Sequence, residues 1–272
     1  MKYVGSKNKL RKELIPIIQS YIDNNNINIY IEPFVGGANV IDKIKCVNKI
    51  GIDSHKYLIA LLNHIKDNKL IIRTITEKQY QDVRLNKQNY NDWIVGLVGF
   101  CATYGAKWFG GYARGFKADK LTPRNHSNEG IRNLEKQAPN LKNIKFITGD
   151  FEVANEYVYS NCVIYCDIPY KDSTKYSGNN SFNYDRFYNW CREKVKQGHI
   201  VLVSEYSMPD DFKCIWSKEH ETTLQTVKHS KRFEKLFILE GGVTQSTLSQ
   251  NNTKEDGIPP TNKLVGILPK RL

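Results

Sequence analysis

Chemistry is densest at Asn161-Cys162-Val163-Ile164-Tyr165-Cys166-Asp167-Ile168-Pro169-Tyr170. A short β-branched and aromatic run, of the length of a buried strand, stops there at a carboxylate. Proline has no donor for a sheet ladder and pushes the residue before it into extended geometry. The strand is therefore predicted to end at Asp167, with its carboxylate and Tyr170 beyond the carboxyl end, the edge where an open α/β sheet binds ligands. Asp167 and a backbone carbonyl can together accept both protons of an exocyclic amine while Tyr170 stacks on the ring face. That chemistry is recognition of a flat, amino-bearing ring. The plainer reading is a strand and a Pro turn, with Asp167 as a cap and Tyr170 as rim packing.

A second group of residues points to a nucleotide-like cofactor. The predicted strand Asn28-Ile29-Tyr30-Ile31 runs into Glu32-Pro33-Phe34-Val35-Gly36-Gly37-Ala38-Asn39, and a helix is predicted to follow through about Cys46. Gly36 and Gly37 let backbone approach a ligand closely at a helix N-terminus. The stretch is neither a full GxGxxG nor a P-loop. Lys49-Ile50-Gly51-Ile52-Asp53 reads as the next strand, and its terminal acid is spaced to hold ribose hydroxyls, to cap a helix running from His55 to about Lys66, or to do both. His55 and His64 are predicted to be exposed helix residues.

From Asp67 to about Asn143 the alternation of strands and helices fails. Thr76-Glu77-Lys78-Gln79 resembles a capping box, and Asn91-Asp92 could start a helix through Trp93, Leu97, Phe100 and Cys101. An aromatic, glycine-rich loop follows, from Tyr104 through Lys107, Trp108, Phe109, Tyr112, Arg114 and Phe116 to Lys117, with Lys120 and Arg124 beyond. Residues 101–145 hold nine Lys/Arg against three Asp/Glu, a net +6 and half of the chain's +12. Basic residues interleaved with aromatics suit a surface that grips phosphates and touches bases; a glycine-loosened surface loop has the same composition.

The remaining elements frame these groups. Leu10, Leu14, Ile17, Ile18, Tyr21 and Ile22 share one helix face, with Ser6 as N-cap and Pro16 expected to kink or split the helix. Further strands are predicted at Asn143–Ile147 and His199–Val203, a helix capped by Asn183 and ended by Gly198 between the last two, and a late hairpin from Phe212–Trp216 and Lys235–Leu239. The tail from Gly241 offers only Val265–Leu268 as a further strand. With 272 residues, 40% hydrophobic and 11% aromatic, the chain can fill one large α/β core, so disorder is not the default. A net charge of +12 suggests a polyanionic partner. The six cysteines form no CxxC, and Cys162 and Cys166 share a strand face, so reduced core residues are expected, with no zinc site or disulfide. No apolar run is long enough for a membrane span, and no signal-like segment opens the chain, which implies a cytoplasmic protein.

In this order the pieces resemble the Dam-like DNA adenine-N6 methyltransferases over roughly residues 1–240. Tyr3-Val4-Gly5-Ser6-Lys7 matches the family's opening aromatic-x-Gly-small-Lys box. Residues 32–38 match its S-adenosyl-L-methionine loop, Asp53 its ribose acid, and residues 146–151 the element along the cofactor adenine. Asp167-Ile168-Pro169-Tyr170 matches its D-P-P-Y motif, with Ile168 where proline is usual. The resemblance implies a Rossmann-like, mostly parallel seven-stranded α/β sheet formed by residues 1–66 and 144–272, with a helical target-recognition insertion at 67–143. It implies catalytic Asp167, Ile168, Pro169 and Tyr170, and a cofactor site of Tyr3, Lys7, Glu32, Phe34, Gly36, Gly37, Asp53, Asp150, Phe151 and Asp167. Double-stranded DNA would meet Lys107, Arg114, Lys117, Lys120 and Arg124 and give up a flipped adenine. No metal is needed, because a sulfonium already supplies the leaving group. An RNA or protein-amide methyltransferase, or a degenerate DNA-binding relative, is the alternative. The recognised sequence, monomer against weak dimer, and a place in restriction-modification stay open.

Overall fold

The run that ends at Asp167 is apolar without interruption because both of its faces are buried. Val163 and Tyr165 join one core with Leu14, Leu58, Leu97 and Leu134, while Ile164 and Cys166 join another with Phe151, Phe187 and Trp190. Successive strand residues point to opposite faces, and a strand covered on both sides needs apolar residues at every position.

The computed structural model describes residues 1–68, 70–170, 182–221 and 231–239. In chain order the elements are α1 (Arg11–Asn24), β1 (Ile29–Glu32), β2 (Asn48–Asp53), α2 (Lys56–Asp67), α3 (Glu77–Leu85), α4 (Asp92–Cys101), α5 (His126–Leu141), β3 (Ile144–Thr148), β4 (Val163–Asp167), α6 (Tyr184–Lys196), β5 (Ile200–Glu205), β6 (Phe212–Glu221) and β7 (Lys231–Leu239). Among the described residues the sheet has the order β3-β2-β1-β4-β5-β7-β6. The first five of these strands are mutually parallel, and β7 runs antiparallel between β5 and β6. Strand order reverses direction between β1 and β4, so the carboxyl ends of those two strands open a crevice. This is the mixed, mostly parallel α/β sheet expected of a Rossmann-like methyltransferase. Met1–Gly242 forms one compact unit; residues 240–272, with the strand expected around 265–268, lie outside the described residues.

Several local expectations hold. Thr76 and Gln79 form a reciprocal capping box at α3, Asn183 caps α6 by accepting from Arg186 N, and Gly198 follows α6 at φ +89°. α4 is apolar on nearly every side because it is buried between α2 and α5; a Cβ on its Gly96 would sit 2.2 Å from the Tyr57 carbonyl oxygen of α2.

Others do not. No helix follows the glycine loop; residues 37–46 are turns and irregular backbone, with Ile41 and Ile44 buried. Gln19 of α1 binds the main chain of Lys45 through both Nε2 and Oε1, each at 2.9 Å, so side-chain partners and β-branched burial replace helical bonding there. Pro16 does not split α1, which is continuous from Arg11. Ser6 caps a 3-10 turn, Lys7–Lys9, that precedes α1 rather than α1 itself. His55 and His64 are half-buried rather than exposed. His55 is the N-cap of α2, accepting from Leu58 N, and its ring meets Trp108 at 4.3 Å; His64 stacks on Trp93 at 3.7 Å.

Candidate active site

Strand β4 delivers Asp167 to the mouth of the crevice, and the chain's first turn brings Lys7 to meet it. Lys7 Nζ donates to Asp167 Oδ1 at 2.6 Å and lies 3.2 Å from Glu234 Oε1 on β7 and 4.5 Å from the Tyr170 ring centroid. Tyr170 OH donates to the same Glu234 oxygen. One ammonium thus serves two carboxylates beside an aromatic face. The Lys7 and Glu234 side chains are each 6% exposed, whereas Asp167 keeps 23%, so Asp167 is the acid of the cluster that an incoming group can reach. Among the described residues nothing bonds its second oxygen, Oδ2.

Burial dominates the electrostatics here. It pulls the Lys7 ammonium toward losing its proton, but Asp167 and Glu234 together outweigh it and raise the pKa. Burial pushes the Asp167 carboxyl up against the pull of Lys7, and does the same to Glu234, with the Asp167 charge adding to the rise. Glu32, at the end of β1 and 3% exposed, is raised furthest, by burial, although Tyr30 OH donates to it at 2.7 Å. Ile168 is buried in the core under α6, Pro169 is exposed, and Tyr184 OH holds the Pro169 carbonyl at 2.9 Å.

The glycine loop is buried against the side chain of Tyr3. Gly36 has φ +47°, and a Cβ there would meet Tyr3 Cε1 at 2.9 Å. Asp53, predicted to face a ribose, to cap α2, or both, spends one oxygen on each neighbouring segment: Gly36 N donates to Oδ2 at 3.0 Å and His55 N to Oδ1 at 2.9 Å. Burial raises its pKa, opposed by those two N–H groups. Phe34 stacks on Phe151 with centroids 5.9 Å apart. Asp150 caps the 3-10 turn that carries Phe151 and pairs with Arg186 at 2.9 Å, while the guanidinium lies 4.7 Å from the Phe151 ring. Of the predicted cofactor residues, Glu32, Asp53, Asp150 and Phe151 thus lie at or just after the carboxyl ends of β1, β2 and β3, of which β1 is the strand paired with β4.

The basic loop divides into anchors and free charges. Trp108 sits against His55, Tyr57 and Phe100, and Tyr112 OH donates to Ile75 O at 2.9 Å. Those rings are half-buried against the insertion and α2, whereas Tyr104 and Phe116 are exposed. Arg114 is held by Glu77, and Arg124 makes a two-pronged pair with Glu129 at 2.7 Å on each arm. Lys107, Lys117 and Lys120 are exposed and, among the described residues, enter no ion pair.

Glu234 is the site residue that sequence reasoning missed. It shares the parity of Leu236 in Phe233-Glu234-Lys235-Leu236, and both are buried; an acid on the buried parity of a strand is the signal that was there to read.

Residues 3–230 match the family model described as D12 class N6 adenine-specific DNA methyltransferase. The type II methyltransferase M.MjaIII of Methanocaldococcus jannaschii is 26% identical over 248 residues, which cover 78% of this chain and 85% of that protein. The type II methyltransferase M.FokI of Planomicrobium okeanokoites is 25% identical over 266 residues, 85% of this chain but 39% of that longer protein.

Proposed function

Because the chain belongs to the D12 class N6 adenine-specific DNA methyltransferases, we propose that the Asp167 cluster is where it methylates adenine N6, with S-adenosyl-L-methionine as methyl donor and double-stranded intracellular DNA as substrate. The observation that carries this reading is the meeting of Lys7 and Asp167 at 2.6 Å from opposite parts of the chain, at the crevice where an open sheet binds ligands. The family's description names DNA and adenine N6, which leaves no ground for an RNA or protein-amide substrate.

The residues present fit the donor. Asp53 and Glu32 put carboxylates at the ends of β2 and β1, Phe34 keeps a half-buried ring stacked on Phe151, and Gly36 packs at φ +47° against Tyr3. Tyr3, Lys7, Glu32, Phe34, Gly36, Gly37, Asp53, Asp150 and Phe151 would hold it. When bound it would supply a methyl group on a sulfonium, whose carbon–sulfur bond breaks to release a neutral thioether without metal or acid assistance.

Asp167 and the Ile168 carbonyl accept the two N6 protons of a flipped adenine, drawing the nitrogen lone pair out of conjugation with the ring. Tyr170 stacks on the base and fixes its plane. Lys7 keeps Asp167 oriented, and Glu234 holds Lys7 and Tyr170 from the far side. An N6 that gains a methyl must shed a proton, and Asp167, its pKa raised by burial, is the base beside it. The insertion, residues 67–143, presents Lys107, Lys117 and Lys120 to the phosphate backbone, with Arg114 and Arg124 as secondary contacts. Labelled methyl transfer to adenine-containing duplexes, with the modified adenines mapped, tests the reading. Transfer by the wild type and none by Asp167→Ala is expected; transfer that survives Asp167→Ala would dismiss this site.

A further inference from the structure

Gln137 stands where the spacing of α5 calls for a hydrocarbon. The buried positions of that helix are Ser127, Ile131, Leu134, Gln137 and Leu141, a stripe whose run from Ile131 to Leu141 is apolar except for this amide. Burying an amide is costly unless its hydrogen bonds are met, and here every one serves the glycine loop or the segment beside it. Gln137 Nε2 donates to Gly37 O at 3.1 Å and to Ala38 O at 2.9 Å. Its Oε1 accepts from the Met1 main-chain nitrogen, which also donates to Asn39 Oδ1 at 2.9 Å. Asn39 Nδ2 returns to Met1 O at 3.0 Å and to Ser6 Oγ at 2.8 Å.

The loop so held is not one the chain adopts readily. Gly36 has φ +47° and Ala38 has φ +55°, and a left-handed alanine is unfavourable without outside contacts to fix it. Two side chains reach the loop from different parts of the fold: Asp53 of β2 takes Gly36 N, and Gln137, from within the segment read as the recognition insertion, takes the next two carbonyls.

We infer that Gln137 is a positioning residue for methyl-donor binding: through the carbonyls of Gly37 and Ala38, the insertion fixes the loop on which the donor sits. The inference rests on the reading of that loop as the donor site. It makes order in the loop depend on the packing of α5, so the insertion contributes to a site it does not itself line.

The test uses the full chain with Gln137→Leu, close in size but unable to bond either carbonyl. Calorimetry with S-adenosyl-L-methionine should show affinity lowered about ten- to fiftyfold, and KM for the donor should rise in step while kcat at saturation stays within about threefold. Duplex affinity without donor should stay within about twofold of wild type. Hydrogen exchange at the amides of Gly36 and Ala38 should quicken at least about tenfold, with Val201 and Val203 unchanged. Donor affinity and loop exchange both at wild-type values would overturn the inference, and so would exchange raised equally in β5, which would mean a general packing role. If the wild type binds no donor yet the loop alone loosens in the variant, the donor reading falls and the positioning of the loop by Gln137 stands. Should Gln137→Leu fail to fold, Gln137→Glu, which keeps the length but sets an acceptor against two carbonyls, gives the same comparison.

Discussion

Lys7 Nζ and Asp167 Oδ1 lie 2.6 Å apart across 160 residues of sequence, and Glu234 Oε1 lies 3.2 Å from the same nitrogen. Asp167 must be ionised to accept from adenine N6, so the acid limb of the rate profile follows its protonation. Burial raises its pKa and Lys7 opposes that rise. Lys7→Met removes the opposition, and the limb should move to higher pH by about one to three units. Glu234→Gln removes a like charge and leaves Lys7 to Asp167 alone, so the limb should move to lower pH. Single-turnover methyl transfer between pH 5 and 9 checks both, and coincident profiles for the three proteins would take the cluster out of the chemical step.

The same shifts bear on folding. The Asp167 and Glu234 carboxyls are raised from ordinary values of 3.8 and 4.5, so the folded state binds protons more tightly than the unfolded chain. Their contribution to stability is full below those ordinary values and declines as pH rises through the raised ones. Glu234→Gln should therefore flatten the decline on the alkaline side of pH 4.5, read as urea midpoints from pH 4 to 8. A decline as steep as the wild type's would place the titration elsewhere.

Asp53→Ala should weaken donor binding by roughly 1.5–3 kcal/mol, the loss of one charge-assisted interaction. The variant also strands Gly36 N and His55 N, from which Asp53 accepts at 3.0 and 2.9 Å, so the loop and the residue that caps α2 each lose a main-chain anchor. Asp53→Asn keeps one acceptor oxygen and should retain part of the affinity. Calorimetry on folded variants decides, and unchanged affinity in Asp53→Ala would remove the residue from the donor site.

How far the sequence could be read depended on whether local chemistry and tertiary packing asked for the same thing. At β4 they agreed: two buried faces require an unbroken apolar run, and Pro169 ends it where Asp167 is needed. The capping box at Thr76 and the Asn183 cap are local bonds, legible wherever they occur. After Gly37 they disagreed, because Val40, Ile41 and Ile44 have helical spacing yet are buried in turns tied down by Gln19, more than twenty residues away. His55 departs from its expected exposure for a similar reason: its partners, Phe100 and Trp108, arrive from the insertion. Glu234 and Gln137 each mark a buried stripe with a polar residue, a signal the sequence carries, but what each does there depends on partners distant in sequence.

The exposed charges of the basic loop divide into two sets with different expected salt behaviour. Lys107, Lys117 and Lys120 enter no ion pair among the described residues, while Arg114 and Arg124 are already met by Glu77 and Glu129. Each phosphate deprived of its protein cation should lower the slope of log K against log salt by about 0.9. Replacing the three lysines by Ala should thus flatten it by up to about 2.7, and replacing both arginines should change it by less than about one. Duplex titrations between 50 and 300 mM salt measure this. A larger effect from the arginine pair would show that DNA displaces Glu77 and Glu129.

Ile168 is the one departure within the Asp167-Ile168-Pro169-Tyr170 motif, and its consequence follows from which atom does the work. In the proposed chemistry, position 168 offers its carbonyl, which isoleucine has as surely as proline. Rigidity is what changes, since no ring locks φ, although Pro169 still biases Ile168 toward extended geometry. Packing offsets part of that loss: the Ile168 side chain is 3% exposed in the core under α6, and Tyr184 OH fixes the following carbonyl at 2.9 Å. Ile168→Pro should therefore change turnover by no more than about tenfold, or ~1.4 kcal/mol of barrier. It should cost about 1–2 kcal/mol of stability through reduced apolar burial. Ile168→Ala separates the two effects, because it keeps the open-chain backbone while emptying the same space. Single-turnover transfer and urea melts on wild type and both variants decide the matter. Turnover restored from nothing by Ile168→Pro would mean that the isoleucine had silenced the site, and the assignment of the carbonyl as the working atom would have to be given up.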